Sequence, residues 1–365
     1  MLDFLEVDRT FLADNEAQIL DLEAQISALQ RSLSLLRAAQ IPARERLYSY
    51  KYPVLTLPNE IIIEIFLWFL ATYRGPPPLS GAQSPTCLGQ VCRRWRDIAL
   101  AIPALWRVID MTPRDESLPG VKRTLHLACL WAERALHHPL SVYLKEHDSL
   151  LPIFMTNLPH RDRWEHLTLN LRTAVSQVLD SLPALKSLDL TIRNPVLGSQ
   201  PFIVQHSPLL RAVVLNDFDS LHVTLPWSQL TSLTLLYLNS RDCMRILRQS
   251  PHLMHCTLRL LGGNVLQPGN DNAHGTVLPR LESLTFHTRS DPDAHFFEQL
   301  VTPALRHLQI SERFFPRNQK PVDFLKSSLS KSGCQLHELK IIGKPSAADA
   351  YRKAFPTIST ISTTY

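Results

Sequence analysis

The sequence predicts an α/β fold in which an N-terminal helix and a small all-α region precede a repeat solenoid with a parallel concave sheet. Three observations predict it: apolar heptads near the start, a stretch dense in isoleucine, phenylalanine and tryptophan after them, and a unit P-x-L-x-x-L-x-L that recurs in the second half. The predicted parts are an amphipathic or coiled-coil helix at 1–45, the all-α region at 50–110, a connecting helix with a first repeat strand at 111–160, the repeats at 161–345 and a C-terminal tail at 346–365.

The composition is that of a globular chain. The 365 residues are 45% hydrophobic and 19% charged, and the net charge of +5 is too mild an excess to predict nucleic-acid binding. The six cysteines form no CxxC pair, as expected for reduced thiols. The acidic N-terminus does not look like a signal peptide, and the longest apolar run, 61–71, is shorter than the ~20 residues of a transmembrane helix. We therefore expect an intracellular protein, cytoplasmic or nuclear, without membrane contact.

A heptad repeat begins near residue 12. Apolar residues recur every seven positions, and from the second heptad each is followed by another three positions later: Leu12, Ile19, Leu22, Ile26, Leu29, Leu33 and Leu36. This pattern predicts a helix with one apolar seam, ending at Pro42. Two interpretations fit. One is a coiled-coil homodimer in which Asn15, at a d position, helps to fix the register. The other is a single amphipathic helix packed on the rest of the chain.

Residues 57–106 form the densest apolar and aromatic stretch. Pro58 suits the first turn of a helix, where a missing N–H is tolerated, and helical spacing follows in Ile61, Ile62, Ile65, Phe66, Phe69 and Leu70. After a break at 74–85, helical spacing returns in Leu88, Val91, Cys92, Trp95, Ile98 and Ala99. Three short helices cannot cover so many large side chains, which predicts an exposed apolar interface.

These residues resemble the F-box, a short helical module. The resemblance rests on the order LP-E-I-IF-L, then VCRRW and LW, although the loop at 73–86 is longer than the family's usual connection. It implies docking onto the Skp-type adaptor of a cullin–RING ubiquitin ligase. The residues expected in this docking module, some as core and some as contact, are Leu57, Pro58, Ile61, Ile65, Phe66, Leu70, Val91, Trp95 and Trp106.

The apolar period changes after residue 139. Residues 118–135 have helical spacing, whereas 139–144 alternate apolar and polar side chains, which predicts a strand. Residues 106–111 show a similar short pattern. The repeat array could begin with either strand.

The second half repeats one unit. The full unit occurs at 183–190, 279–286 and 303–310, and looser copies end at Leu169, Leu215, Leu235, Leu258 and Ile341. It resembles irregular leucine-rich repeats, which implies a solenoid with strands on the concave side, and the whole chain is similar to fungal F-box families with such repeats. Helices are expected between the strands at 173–182, 241–249, 295–300 and 321–330. The first apolar anchors of the units are Trp164, Leu185, Leu210, Leu230, Leu253, Leu281, Leu305 and Leu336.

Alternate side chains of these strands should point away from the core. The resulting row has two acids, Asp189 and Glu338, and two bases, Arg259 and Lys340. A nucleic-acid groove needs an excess of cations, so the row favours a protein or peptide ligand. For any single member, an ordinary solvated position is an equal alternative. The candidate target-binding residues are Asp189, Thr191, Asn216, Thr234, His255, Arg259, His287, His307 and Gln309.

We expect no catalytic, cofactor or metal site. His252, His255 and Cys256 form H-x-x-H-C, but Cys256 replaces an inward leucine while His255 points outward, so their ligand atoms diverge. The glycine-rich segment 262–275 lacks the GK[ST] of a phosphate-binding loop and indicates an insertion between repeats. Cys92 lies on the apolar stripe and is expected to be a buried structural thiol.

The sequence as a whole predicts a non-enzymatic substrate receptor, in which the F-box binds the adaptor and the repeats hold an unknown target protein for ubiquitin transfer. Changing Ile65 and Phe66 to aspartate is expected to abolish adaptor binding without unfolding the repeats. The alternative is a scaffold of coiled coil and repeats in which the F-box only caps the solenoid.

Overall fold

A computed structural model describes residues 2–49, 56–113, 115, 117–145, 151–173, 178–179, 181–194, 202–216, 223–261, 275–288, 295–315, 319–343 and 348–364. The chain divides into two compact units, Met1–Ile62 and Ile63–Tyr365. Within the described residues, no helix is long and apolar enough to cross a membrane. The α-helices are α1 (Leu2–Ser49), α2 (Asn59–Ala71), α3 (Arg93–Leu100), α4 (Leu118–Arg134), α5 (Leu151–Asn157), α6 (Ser240–Arg248), α7 (His295–Glu298), α8 (Pro321–Ser332) and α9 (Ala348–Ala354).

The described strands belong to three parallel sheets. In chain order they are β1 (Val108–Asp110), β2 (Leu140–Lys145), β3 (Trp164–Thr173), β4 (Val178–Leu179), β5 (Ser187–Asn194), β6 (Phe202–Val204), β7 (Ala212–Asn216), β8 (Val223–Thr224), β9 (Ser232–Leu238), β10 (His255–Leu260), β11 (Thr276–Val277), β12 (Ser283–Thr288), β13 (Leu300–Val301), β14 (His307–Ser311), β15 (Glu338–Ile342) and β16 (Thr360–Thr364).

Helix α1 continues through Pro42 as far as Ser49, so the predicted end at Pro42 is wrong. A proline removes one backbone hydrogen bond but has a φ close to the helical value. Alanine, arginine and glutamate, which favour the helix, surround it and carry the helix onward. The seven apolar residues of the heptad seam are 48% to 69% exposed.

The helical stretch predicted from Leu88 to Ala99 is split. Residues Pro85–Gln90 form a 3-10 helix, and α3 begins only at Arg93. Cys92 separates them because its backbone is extended (φ −158°) and its sulfur accepts a hydrogen bond from the Trp95 N–H at 3.4 Å. Cys92 is thus a half-buried helix cap rather than a buried thiol on a helical stripe. Pro58 lies one residue before α2, where its carbonyl accepts from the Ile62 N–H at 3.2 Å.

The largest sheet has eleven strands in the order β1-β2-β3-β5-β7-β9-β10-β12-β14-β15-β16. Every described pairing in it is parallel. The strands predicted before residue 145 are β1 and β2, and the eight repeat units supply β3, β5, β7, β9, β10, β12, β14 and β15. A long N-terminal helix, a small helical region and a parallel-strand region therefore follow one another, as predicted.

Alternation along the strands builds the core of this region. In each repeat strand the inward positions are buried, as at Leu188 and Leu190 or Leu233 and Leu235. Each fully buried aliphatic side chain stabilises the fold by ~1.5–3 kcal/mol relative to an exposed one. The eight predicted anchors are buried as well: Trp164, Leu185, Leu210, Leu230, Leu253, Leu281, Leu305 and Leu336.

The segments that return from one strand to the next differ along the chain. The helices predicted at 241–249 and 321–330 are α6 and α8. The helix predicted at 173–182 is wrong, because the described part of that segment contains β4, which forms a second sheet with β6 and β8. At 295–300 one turn of helix, α7, is followed by β13, which pairs with β11. Short β-branched and apolar runs such as Phe202–Val204 favour strands when an edge is available for pairing.

The C-terminal segment, predicted only as a tail, contributes two elements. Helix α9 precedes β16, and β16 pairs in parallel with β15 over five residues as the last strand of the large sheet. The unpaired edge of β15 provides the hydrogen-bond partners for this pairing.

Candidate protein-interaction surfaces

Helix α2 has one buried and one exposed apolar face. Ile62 and Phe66, four residues apart, are fully buried. Ile61, Ile65 and Trp68, at positions i, i+4 and i+7, are 47%, 40% and 72% exposed. Residues at this spacing lie on one face of a helix, so the three side chains form an apolar stripe, here called the α2 stripe. Trp68 was not among the predicted docking residues, although its spacing from Ile61 and Ile65 places it on the same face of the helix.

Two of the predicted docking residues belong to the core. Phe66 lies edge-on to Trp95, with ring centroids 5.1 Å apart. Trp106 is buried, and its indole N–H donates to the Ala99 carbonyl at 3.0 Å. Trp106 also lies edge-on to Trp131 of α4, with centroids 5.2 Å apart. Edge-to-face pairs of this kind hold the helices together, so changing Phe66 or Trp106 would disturb the fold before it disturbed a surface.

The other predicted docking residues divide between half-buried and exposed positions. Leu57, Leu70 and Trp95 are half-buried, and Pro58 is exposed. Val91 is 57% exposed, immediately before α3. Leu100, at the end of α3, is a further exposed leucine and was not among the predicted docking residues. Exposed branched and aromatic side chains in so short a segment are typical of a protein-binding region.

The strand register brings the predicted target-binding residues into line. Thr191 pairs with Asn216, Thr234 with Thr257, and Thr285 with Gln309. Arg259 lies in register with His287 on the next strand. These side chains point away from the core and lie in line across the large sheet; together we call them the outward row. Of the nine predicted members, His255 and His307 are exposed and seven are half-buried: Asp189, Thr191, Asn216, Thr234, Arg259, His287 and Gln309.

The outward row begins earlier than predicted. Tyr143 and Lys145 of β2 pair with Thr168 and Asn170 of β3, which in turn pair with Asp189 and Thr191. The alternation already seen in β2 could have identified them. Asn170 and Asn216 flank Thr191, and the side-chain oxygen of each asparagine is buried without a hydrogen-bond partner among the described residues. Unsatisfied buried acceptors are costly, so each of these amides needs a donor that the described residues do not supply.

Burial and neighbouring charges shift two titratable groups of the row. Burial raises the pKa of Asp189, and the nearby Lys145 cation partly offsets this effect. The pKa of His287 is lowered, first by burial and then by the cations Arg259 and Lys340. The row therefore has Asp189 with Lys145 on its N-terminal strands, and Arg259, Glu338 and Lys340 on its C-terminal strands.

The H-x-x-H-C group has one buried and two exposed side chains. Cys256 is buried while His255 and His252 are exposed, so their ligand atoms diverge as predicted. Burial raises the pKa of Cys256 to about 12, which keeps this thiol protonated and inert. Among the described residues, no group of three or more His, Cys, Asp or Glu side chains could hold a metal ion. Most of the glycine-rich segment, residues 262–274, lies outside the described residues.

Comparison with known proteins identifies one part of the chain. Residues 54–112 match the F-box-like family. No curated protein matches the chain. The match spans α2, α3 and β1, and it contains the α2 stripe together with the Phe66, Trp95 and Trp106 core. The predicted resemblance is thus confirmed for this segment, and the chain contains an F-box-like domain at residues 54–112.

Proposed function

We propose that this chain is the substrate-recognition subunit of an SCF-type cullin–RING E3 ubiquitin ligase. The match of residues 54–112 to the F-box-like family carries the proposal. The F-box-like domain binds the Skp-type adaptor, and the outward row holds a target protein. The chain performs no chemistry of its own; it raises the effective concentration of the target near the ubiquitin-conjugating enzyme. It acts inside the cell, in the cytoplasm or nucleus.

The α2 stripe supports the adaptor-binding part of this proposal. Its three large apolar side chains remain exposed although Ile62 and Phe66 of the same helix are fully buried. Large anchors such as tryptophan dominate protein interfaces when they enter a partner's pocket. A second polypeptide that covers Ile65 and Trp68 therefore accounts for the exposed face.

We also infer that the parallel-strand region is an irregular leucine-rich-repeat solenoid. The in-register strands, the buried anchors and the recurring P-x-L-x-x-L-x-L unit support this inference. Stacked strands of this kind leave one row of side chains per strand free for a ligand. Such rows vary in sequence while the backbone stays constant, which suits a receptor for a particular target.

The decisive experiment is co-purification with a Skp-type adaptor and a cullin. Ile65→Asp combined with Trp68→Asp should weaken adaptor binding by at least about 30-fold, because two apolar anchors are replaced by charges. Both residues are exposed, so the repeats should stay folded. This pair replaces the variant suggested by the sequence, Ile65→Asp with Phe66→Asp, because the buried Phe66 belongs to the core.

Leu118→Asp combined with Leu136→Asp is the matched control, since both leucines are exposed and lie outside the F-box-like match. This control should bind the adaptor like the unmodified chain. Equal binding by both double variants, or no adaptor binding at all, would overturn the docking proposal.

The scaffold alternative is favoured by a specific observation. Strand β1, at the end of the F-box-like match, pairs with β2 as the first strand of the large sheet, and Trp106 packs on Trp131 of α4. The end of the domain therefore caps the strand region, which is the only role that the alternative requires of it. Adaptor and cullin would then be missing from the purified complex, whereas partners bound through α1 and the repeats would remain.

The exposed seam of α1 supports a homodimer as the oligomeric state. A coiled coil covers the a and d side chains of each helix with those of its partner. Seven uncovered heptad residues on one helix, each at least 48% exposed, fit this arrangement.

A further inference from the structure

A β-bulge in β9 turns an aromatic side chain onto the outward row. Arg259 of β10 pairs with Leu236, and the next residue, Leu260, pairs with Leu238, so Tyr237 is an extra residue. Tyr237 has a φ of +62°, a conformation that a bulky side chain rarely adopts. Leu236 and Tyr237 are both half-buried while Leu238 is buried, so two consecutive side chains avoid the core. Bulges re-aim side chains in this way, and strained residues concentrate at functional sites.

The bulge brings Tyr237 to Arg259. Nη1 of Arg259 donates a hydrogen bond to the Tyr237 hydroxyl at 2.9 Å, and the guanidinium carbon lies 5.2 Å from the ring centroid. Both contacts fix the orientation of the guanidinium group. Its Nε is buried and has no hydrogen-bond partner among the described residues. Nη2 takes no part in the contact with Tyr237 and is the donor left for another ligand.

Two more basic side chains lie on later strands of the outward row. His287 is the in-register neighbour of Arg259 on β12, and Lys340 on β15 is close enough to contribute to the lowered pKa of His287. A planar guanidinium, with the His287 imidazole on the next strand, matches an oxyanion that can accept hydrogen bonds from both side chains.

We propose that Tyr237, Arg259 and His287 form an anion-binding subsite that receives an acidic side chain of the target protein, either a carboxylate or a phosphate. This inference rests on the proposed role of the outward row in target binding and names its chemistry. The neighbouring positions Thr234, Thr257 and Thr285 are neutral and polar. A nucleic acid would need cations along the whole row, whereas one cluster beside neutral residues fits one anionic group in a peptide.

The test is an NMR titration of the full chain labelled with ¹³C-histidine, with the His287 signal assigned from a His287→Gln variant. The probes are the blocked tripeptides Gly-Glu-Gly, Gly-phosphoSer-Gly and Gly-Lys-Gly. We expect saturable shifts of the His287 signal with at least one of the two anionic peptides and none with the lysine peptide. Tighter binding of the phosphopeptide assigns a phosphate as the natural ligand, and equal or tighter binding of the glutamate peptide assigns a carboxylate.

Arg259→Met should weaken the binding of the anionic peptide about tenfold or more, because a charged hydrogen-bond pair is lost. Arg306→Met removes the same charge from an exposed residue outside the outward row and should leave binding unchanged. Tyr237→Phe, which keeps the ring and removes the hydroxyl that orients Arg259, should weaken binding less than Arg259→Met does. It tests the subsite even if Arg259→Met disturbs the fold.

The subsite is excluded if the anionic peptides give no saturable shift, or if they bind Arg259→Met and Arg306→Met equally. This titration involves no adaptor, so its failure is separate from a failure of the docking experiment on Ile65 and Trp68. A chain that binds the adaptor but not the peptides loses the subsite and keeps the receptor role.

Discussion

Helix α1 and the large sheet are both built on a regular repeat of leucine and isoleucine, yet they differ in what covers it. The seam of α1 is 48% to 69% exposed, whereas the inward positions of the repeat strands, such as Leu235 and Leu258, are fully buried. Each strand receives its neighbours from the next repeat of the same chain, and α1 has one copy of its pattern. A periodic pattern therefore determines which face of a helix or strand is apolar. Whether that face is buried depends on whether another apolar surface packs against it.

The strongest test of this comparison removes one leucine from each region. Leu235→Ala should lower the free energy of unfolding by ~2–5 kcal/mol, because it leaves a cavity in the core of the sheet. Leu29→Ala, the same change at a 69% exposed position, should alter it by less than ~0.5 kcal/mol. Urea unfolding followed by far-ultraviolet circular dichroism measures both, because this signal reports on α1 and on the sheet. Equal losses of unfolding free energy in the two variants would show that Leu29 and Leu235 do not differ in burial.

A second test asks whether another copy of the chain covers the α1 seam. Leu22→Asp combined with Leu29→Asp places charges at two d positions and should weaken a coiled-coil dimer by at least about tenfold. Light scattering after size-exclusion chromatography measures the mass at several concentrations. Leu20→Asp with Leu35→Asp is the matched control, because both leucines are exposed on α1 but lie off the seam. A monomeric unmodified chain, or equal dissociation of both variants, contradicts the homodimer.

The smallest expected effect concerns charge on the outward row. The pKa of His287 lies below its ordinary value of 6.5 because of burial and the cations Arg259 and Lys340. As the pH falls below 6.5, the unfolded chain takes up this proton before the folded chain does, so stability decreases until the folded pKa is passed. Histidine NMR should show the low titration midpoint.

Arg259→Met should raise that midpoint toward the ordinary value, and Arg306→Met, which does not contribute to the shift, should leave it unchanged. A midpoint at or above 6.5 in the unmodified chain would contradict the described surroundings of His287.

Sequence periodicity by itself determined much of this protein. The period of seven predicted α1, and the period of two predicted the strands of the large sheet that precede residue 345. The recurring anchors also predicted which strands lie in register from β5 to β15, and so most of the outward row on those strands. The inward position of Cys256 followed from the same alternation. These features depend on local geometry, because the direction of the side chains along a strand or helix follows the period of its backbone.

Only the tertiary structure decided what covers each face. Phe66 and Trp68 are two residues apart on α2, yet one is in the core and the other is exposed, because neighbours such as Trp95 cover only one face of the helix. The bulge that turns Tyr237 toward Arg259 depends on how β9 pairs with β10, and β16 forms because β15 has a free edge. Burial and strand pairing depend on contacts between residues that are far apart in the sequence, so a local sequence pattern does not predict them.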